Sequence, residues 1–344
     1  MRRCHSLLLP VLLMLLLTVL VLFVGCADRE KAQTGELKFE LTSDKTGYKV
    51  TGIGTAEGNT IEIPESYRDM PVKMIMTGVF KGQKDLKKVI LPASLTQIYA
   101  SAFENCTALT DIECRSSGIT MIAENAFKNT GYANNKKNYE DGGLYLANTL
   151  IAVDSDYEGD FVIRDGTYTV AYQAFKNSKI ESVTIPDRLW HLGKFTFLDA
   201  KNLEKVTFTE GERSLVYLGE GVFYGCTALK SIALPTRCAK VGERAFFGCS
   251  ALTEVTSLAK TETIGHAAFS GCGALTEITL PSTVKTIEDE AFLGCSALAR
   301  VSGTDSLKRI GSKAFRGCSA LTEISLPEGV TLGAFAFDGT PLDK

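Results

Sequence analysis

The sequence predicts an α/β repeat fold, a right-handed solenoid in which short parallel β-strands alternate with 3₁₀ or helical turns. Three observations lead to this fold class: a phenylalanine that recurs at a nearly fixed spacing, a run of alternating apolar and polar residues between successive phenylalanines, and a proline that ends many of these runs. The recurring phenylalanines are Phe80, Phe103, Phe127, Phe175, Phe197, Phe223, Phe246, Phe269, Phe292, Phe315 and Phe337. Most intervals are 22 to 24 residues, and every interval from Phe223 to Phe315 is 23, a regularity typical of stacked repeats.

One regular unit shows how each coil is built. The segment LTEITLP, residues 275–281, alternates apolar and polar residues with period two and stops at Pro281, so it predicts a short strand. Val284 and Ile287 predict a second short extended piece. The following EDEAF segment predicts a helical or 3₁₀ turn that carries Phe292 inward.

A single coil of this length has no closed core. Its Leu, Ile and Phe side chains become buried only when the next coil stacks on it at the spacing of paired strands, about 4.8 Å. Eleven coils then give a body about 53 Å long. The handedness should be right-handed, as for parallel crossover connections in general.

The repeat also carries a family resemblance. The pattern L-x-x-I-x-L-P-x-x-V-x-x-I-x-x-x-A-F-x-x-C, found over residues 60–340, resembles the BspA-like, or Treponema-type, class of leucine-rich repeat. The resemblance implies a right-handed leucine-rich-repeat solenoid. It also implies a bacterial cell-surface or secreted protein that binds a protein ligand, since some members of the class adhere to host or neighbouring cells.

The first residues predict a targeting segment. Arg2 and Arg3 precede an apolar run over residues 7–24, and Gly25 stands before Cys26. We interpret residues 1–25 as a lipoprotein signal peptide, because LFVGC resembles the lipobox of bacterial lipoproteins, and this resemblance makes Cys26 the lipid attachment site. The alternative is an uncleaved anchor helix, because the run is nearly long enough to span a bilayer.

Three further segments follow the leader. Residues 26–36 are polar and predict a tether to the membrane. Residues 37–63 alternate like a β-hairpin and predict an N-terminal cap, and residues 64–344 form the predicted solenoid. Without Arg2 and Arg3 the chain has 35 basic and 40 acidic residues, a net charge of −5 that argues against a nucleic-acid partner.

Six cysteines each lie three residues after one of the recurring phenylalanines. They are Cys106, Cys226, Cys249, Cys272, Cys295 and Cys318. Equivalent side chains on stacked coils project in parallel, whereas a disulfide needs two Cβ atoms turned toward each other at about 3.8 Å. We therefore predict buried free thiols with a packing role. A catalytic cysteine would be a single residue near a histidine, whereas these cysteines are serial and the chain after residue 25 has only His191 and His266. The sequence has no Cys-x-x-Cys spacing that would indicate zinc.

The interval from Phe127 to Phe175 contains an insertion, predicted as a β-hairpin near residues 142–160. Asp154, Asp156, Glu158 and Asp165 after it fall at positions 1, 3, 5 and 12 of a calcium loop, with a glycine at position 6. The flanks nevertheless have strand patterns, and aspartate replaces the glutamate expected at the last position. We favour a solvated turn and no metal, with a weak calcium loop as the alternative.

Aromatic residues replace the usual polar residues at the positions seven and six before the phenylalanine in three consecutive coils. They are Tyr168, Trp190, His191 and Tyr217, and the chain has a single tryptophan. Stacked one coil apart, these side chains predict an amphipathic patch beside the inserted hairpin. The hairpin could fold over the patch and bury it, the interpretation we favour, or the patch could contact a ligand.

These features favour a non-enzymatic recognition or adhesion protein that is lipid-anchored on the outer side of a bacterial membrane and requires no cofactor. A structural envelope scaffold without an external ligand is the first alternative. An extracellular hydrolase is disfavoured, because the sequence has no HExxH helix, no nucleophile elbow and no convergent pair of carboxylates.

Overall fold

The computed structural model describes residues 35–209, 217–256, 258 and 260–343. Over these residues the chain forms a leucine-rich-repeat β-solenoid of about 12 turns, with parallel strands and little helix. The predicted signal peptide, Cys26 and most of the predicted tether lie outside the described residues.

The longer strand of each coil forms one face of the solenoid, in three parallel sheets. The first contains β3 (Thr60–Glu62), β6 (Lys88–Leu91) and β8 (Asp111–Cys114). The second contains β13 (Glu158–Val162), β15 (Lys179–Ile185), β17 (Lys205–Phe208), β19 (Ser231–Ala233) and β21 (Glu254–Thr256). The third contains β23 (Glu277–Thr279), β25 (Arg300–Ser302) and β27 (Glu323–Ile324). Pairs such as Thr279 with Ser302 keep small hydroxyl side chains in register across this face.

The second, shorter strand of each coil forms another face. Its N-terminal sheet contains β1 (Lys38–Leu41), β2 (Tyr48–Gly52), β5 (Met70–Ile75), β7 (Gln97–Ile98) and β9 (Met121–Ile122), with β4 (Ser66–Tyr67) beside β5. Its middle sheet contains β10 (Tyr139–Glu140), β11 (Gly143–Leu146), β12 (Thr149–Val153), β14 (Thr169–Val170) and β16 (His191–Leu192). Its C-terminal sheet contains β18 (Tyr217–Leu218), β20 (Lys240–Val241), β22 (Thr263–Ile264), β24 (Thr286–Ile287), β26 (Arg309–Ile310) and β28 (Thr331–Leu332).

The segment before each recurring phenylalanine forms consecutive turns, so the predicted helical or 3₁₀ turn at this place is wrong. The residue two positions before the phenylalanine has a left-handed φ, as at Glu290 (60°) and Lys313 (55°), and such a residue interrupts a right-handed helix. Among the described residues, helix is limited to α1 (Gly131–Asn134) and a 3₁₀ turn over Lys136–Asn138. The fold is therefore a β-solenoid with little helix.

The phenylalanines line up along the inside of the solenoid, as predicted. Rings on neighbouring coils stack with centroids 5.1 Å apart between Phe246 and Phe269, and 5.2 Å apart between Phe292 and Phe315. These four rings are completely shielded from solvent. Each ring is covered by the coils on both sides, so burial of the core depends on stacking.

The six serial cysteines are free and buried, as predicted. Each thiol donates a hydrogen bond to the carbonyl oxygen of a phenylalanine in the preceding coil, for example Cys295 Sγ to Phe269 O at 3.1 Å. Two further thiols, of half-buried Cys114 and buried Cys238, are also free.

The N-terminal hairpin consists of β1 and β2, which pair antiparallel, while β2 pairs in parallel with β5 of the next coil. The hairpin thus lies at the end of the shorter-strand face. Residues 60–62, within the range predicted for the cap, already form the first strand of the other face, because β3 pairs in parallel with β6. The capping role itself stays a prediction.

The inserted hairpin consists of β11 and β12, which pair antiparallel. Its second strand pairs in parallel with β14, so the hairpin lies in the shorter-strand face in the place of a coil strand. Beside it, Tyr172 N donates to Ile122 O at 3.0 Å, and the coils before and after the insertion are therefore in direct contact.

Candidate functional site

The aromatic residues lie in one row of the shorter-strand face. Trp190 N donates to Tyr168 O at 3.1 Å, and Tyr168 N donates to Asn148 O of the inserted hairpin at 2.9 Å. In a regular pair of coils the equivalent backbone hydrogen bond runs from Lys285 N to Glu262 O. Tyr168 and Trp190 therefore occupy a row position that carries charged side chains further along the solenoid.

The structure brings Tyr168, Trp190 and His191 together, and we call these three residues the aromatic patch. Thr169 and His191 are paired on β14 and β16, which sets the two coils in register. Trp190 is 48% exposed, and Tyr168 and His191 are half-buried. The hairpin extends the sheet by pairing with β14, and it leaves the Trp190 side chain exposed. Burial of the patch under the hairpin, the interpretation favoured from the sequence, is therefore wrong for Trp190.

Tyr217, the fourth predicted member, begins β18. Its side chain lies outside the part of the chain that the structure describes. The aromatic patch is therefore defined without it.

His191 has a polar atom that the fold does not satisfy. Its Nδ1 is buried and has no hydrogen-bond partner among the described residues. Burial lowers the pKa of His191 from its ordinary value of 6.5. The imidazole is therefore held in its neutral form by its surroundings.

The four carboxylates of the calcium-loop alternative do not converge. Lys136 Nζ pairs with Asp154 and lies 3.4 Å from Asp156 Oδ2. Glu158 lies at the start of β13 and pairs with Lys179 at 3.2 Å. Within residues 35–209, 217–256, 258 and 260–343, no group of three or more histidine, cysteine or acidic side chains is placed to hold a metal ion.

The contacts of Asp154 also explain the pKa of its carboxyl group. The backbone N–H of Asp156 and the Lys136 ammonium group lower the pKa of Asp154. Asp165 lies in an exposed turn beyond β13. The geometry of these four residues matches a solvated, lysine-bridged turn better than a cation cage.

A cleft of about 440 Å³ opens beside the inserted hairpin, between the turn that carries Phe127 and the next coil. We call it the insert cleft. It is lined by residues 122, 123, 125–129, 171–173 and 176 and by residues that include Tyr139, Leu144 and Ile151. The cleft was not predicted from the sequence. The sequence signal that could have predicted the cleft is the 48-residue interval between Phe127 and Phe175, because it marks the place where the regular stacking of coils is interrupted.

A larger cleft of about 650 Å³ lies at the N-terminal hairpin. Phe39 and Tyr67 stack there with ring centroids 4.4 Å apart. Gly35 and Leu37 also line it.

The buried thiols are poor candidates for nucleophilic chemistry. Burial raises the pKa of Cys249 to about 12, and it raises the pKa of Cys226 and Cys272 well above the ordinary value. A thiol with so high a pKa stays protonated at neutral pH, whereas catalysis by cysteine needs the thiolate.

None of the helices in the described residues has the length and apolar character that crossing a bilayer requires.

Several bacterial proteins of known structure are similar to this chain. A leucine-rich repeat protein from Bacteroides ovatus ATCC 8483 is 23% identical, with 86% of this chain and 94% of that chain covered and a TM-score of 0.47. A leucine-rich cell surface protein from Faecalibacterium prausnitzii A2-165 is 19% identical, with coverage of 88% and 96% and a TM-score of 0.36. The pneumococcal vaccine antigen PcpA is 17% identical, with coverage of 92% and 89% and a TM-score of 0.40.

No curated protein matches the sequence significantly. The model of the BspA type leucine-rich repeat region does match, with 6 copies over residues 55–138, 159–260 and 240–344. These ranges cover most of the chain and coincide with the stacked coils. The chain therefore belongs to the BspA-type leucine-rich repeat family.

Proposed function

We propose that this protein is a non-enzymatic recognition or adhesion protein of the bacterial cell surface, and that it binds a partner protein through the aromatic patch. The observation that carries the proposal is the 48% exposure of Trp190, the one tryptophan of the chain. Leucine-rich repeats generally mediate protein binding and are typically non-enzymatic. Tryptophan and tyrosine are the residues most enriched at binding hot spots.

The surroundings of Trp190 favour this role. The neighbouring Leu189 and Leu192 are buried and fix the backbone on both sides of the indole and of His191. A side chain that is held by a rigid scaffold loses little conformational entropy on binding. The patch therefore resembles a preorganised anchor that a partner can cover with an apolar pocket of its own.

The proposed location rests on the sequence. Cys26 ends the segment LFVGC, which resembles a lipobox, and we propose that a lipid on this cysteine holds the protein at the membrane, with residues 26–36 as a short tether. Metabolic labelling with palmitate tests the anchor. We expect the label on the wild-type protein and its loss in Cys26→Ser, whereas labelling of Cys26→Ser would contradict the anchor.

The binding role can be tested with the protein lacking residues 1–25, immobilised and offered to defined matrix proteins and to intact cells. We expect Trp190→Ala to weaken capture by roughly tenfold or more, as for a hot-spot residue. Leu332→Ala is the matched control, because Leu332 is 47% exposed on a different coil.

Circular dichroism should show that both variants are folded. If Trp190→Ala and Leu332→Ala capture every partner as well as the wild type, the aromatic patch is not the binding site.

A further inference from the structure

Neighbouring coils are joined by a backbone ladder along their phenylalanine turns. Ser101 N, Phe103 N and Asn105 N donate to carbonyl oxygens of the next coil at 3.1, 2.8 and 2.9 Å. The same three bonds recur in regular coils, as from Arg244, Phe246 and Gly248. The ladder satisfies backbone groups that would otherwise be exposed at every turn.

This ladder is interrupted at the insert cleft. The equivalent donors of the next turn are Asn125 N, Phe127 N and Asn129 N, and the described residues provide none of them with an acceptor. All three residues line the cleft. Three residues that line the cleft therefore have backbone N–H groups without an acceptor among the described residues.

On the facing coil, backbone carbonyl oxygens lack the donors that they have elsewhere in the solenoid. The carbonyl oxygens of Tyr172, Ala174 and Lys176 occupy the positions that accept from a preceding coil elsewhere in the solenoid. Ala174 O accepts from Val153 N of the hairpin at 2.8 Å, and among described residues Tyr172 O and Lys176 O receive no donor. In a regular pair of coils these three carbonyl oxygens would each accept one bond from the preceding coil. The hairpin supplies only the middle one, to Ala174 O.

The charged residues that line the cleft are both lysines. Lys128 and Lys176 line it and are exposed, and the lining residues include no carboxylate. The nearby Asp154 and Asp156 are bridged by Lys136. Backbone N–H donors and two ammonium groups in one cleft select carbonyl and carboxylate oxygens as acceptors.

We propose that the insert cleft binds an acidic segment of a partner protein in an extended conformation. Main-chain carbonyls of the segment accept from Asn125, Phe127 and Asn129, and its carboxylates face Lys128 and Lys176. Peptides that add to an exposed backbone edge in this way gain affinity from main-chain hydrogen bonds. The volume of about 440 Å³ suits a few residues of such a segment. This inference goes beyond the recognition function above, since it assigns a second site with its own partner chemistry.

A capped acidic heptapeptide that alternates Asp or Glu with Ala serves as the probe, and its Asn and Gln counterpart serves as the neutral control. Binding is followed by nuclear magnetic resonance on the protein lacking residues 1–25. We expect the acidic peptide to shift the amide signals of Asn125, Phe127 and Asn129 and to slow their hydrogen exchange, while the neutral peptide binds at least about tenfold more weakly.

The variant K128E/K176E tests the role of the two lysines that line the cleft. Its matched control is K84E/K260E, which reverses the charge of two exposed lysines on other coils. We expect the first variant to bind the acidic peptide about tenfold or more weakly than the wild type does. The control variant should bind it with the affinity of the wild type. Both changes lie on the surface, so both variants should fold.

Three results would overturn the proposal: absence of binding at millimolar peptide, equal binding of the neutral peptide, and equal loss of affinity in both double variants. Competition by inorganic phosphate at the same three amides would also overturn it, in favour of a simple anion site. None of these measurements depends on Trp190. A negative result at the insert cleft therefore does not contradict binding at the aromatic patch, and a negative result at the patch does not contradict binding in the cleft.

Discussion

The repeated cysteine works as a small apolar side chain that also donates one hydrogen bond. Cys272 Sγ donates to Phe246 O at 3.2 Å and is fully buried. The free state of these thiols could be predicted from sequence, because parallel stacking prevents two equivalent cysteines from meeting. The carbonyl acceptor could not be predicted, because it belongs to a coil 26 residues earlier.

Thiol labelling tests this account of the cysteines. The six serial cysteines are buried, and burial raises the pKa of Cys249 and Cys272. None of the six should therefore react with a maleimide in the native protein at neutral pH. In unfolded, unreduced protein all six should react. Half-buried Cys114 can be removed as Cys114→Ser to clear the background. Failure to label after unfolding would indicate disulfides and contradict the packing role.

His191 should make stability depend on pH. Burial lowers its pKa below 6.5, so below that pH the unfolded chain binds more protons at this site than the folded one. The free energy of unfolding should therefore fall as the pH decreases through 6.5. Urea titrations at several pH values measure this fall, and His191→Gln should remove part of it. An unchanged pH profile in the variant would contradict the burial of a neutral imidazole.

At the scale of elements, the strands were predictable and the turns were not. Period-two alternation ending at proline marks the longer strand, as at 275–281, where β23 forms. The turn before Phe292 was predicted to be helical because EDEAF favours helix locally, but the inter-coil backbone ladder imposes a left-handed residue there. The hairpin was visible near 142–160, whereas the insert cleft depends on which strand the hairpin pairs with, and local sequence does not encode that choice.

Glycine at one left-handed position should stabilise the fold. Lys313 has φ of 55°, a conformation that costs a non-glycine residue about 1–2 kcal/mol. After the entropic cost of glycine, Lys313→Gly should raise the free energy of unfolding by about 0.5–1 kcal/mol. Lys308→Gly is the control on the same coil, because Lys308 is exposed and has no positive φ, and it should lower stability. A loss of stability in both variants would show that no strain is stored at Lys313.

At the scale of the whole molecule, stability is a sum over neighbouring coils. Phe269 stacks on Phe246 and Phe292 at 5.1 and 5.2 Å, whereas Phe337 stacks on Phe315 alone at 5.4 Å and is half-buried. Phe269→Ala should therefore cost about 3–5 kcal/mol in urea unfolding. Phe337→Ala should cost clearly less, since its ring is covered on one side. Equal costs would mean that the ends of the solenoid are packed as tightly as its middle.

The regular coils and the interrupted region differ in what they offer a partner. Over residues 263–316 the outward positions carry polar side chains, and the backbone ladder between turns is continuous. Over residues 122–192 an exposed tryptophan, a half-buried histidine and an open cleft occur within three successive coil positions. Binding should therefore concentrate where the repeat breaks.

Hydroxyl-radical footprinting of the protein, alone and bound to a captured partner, tests this claim most directly. We predict that binding protects side chains within residues 122–192, Trp190 above all, and leaves the oxidation of residues 263–316 unchanged. Protection confined to the regular coils, with Trp190 oxidised equally in both samples, would contradict it.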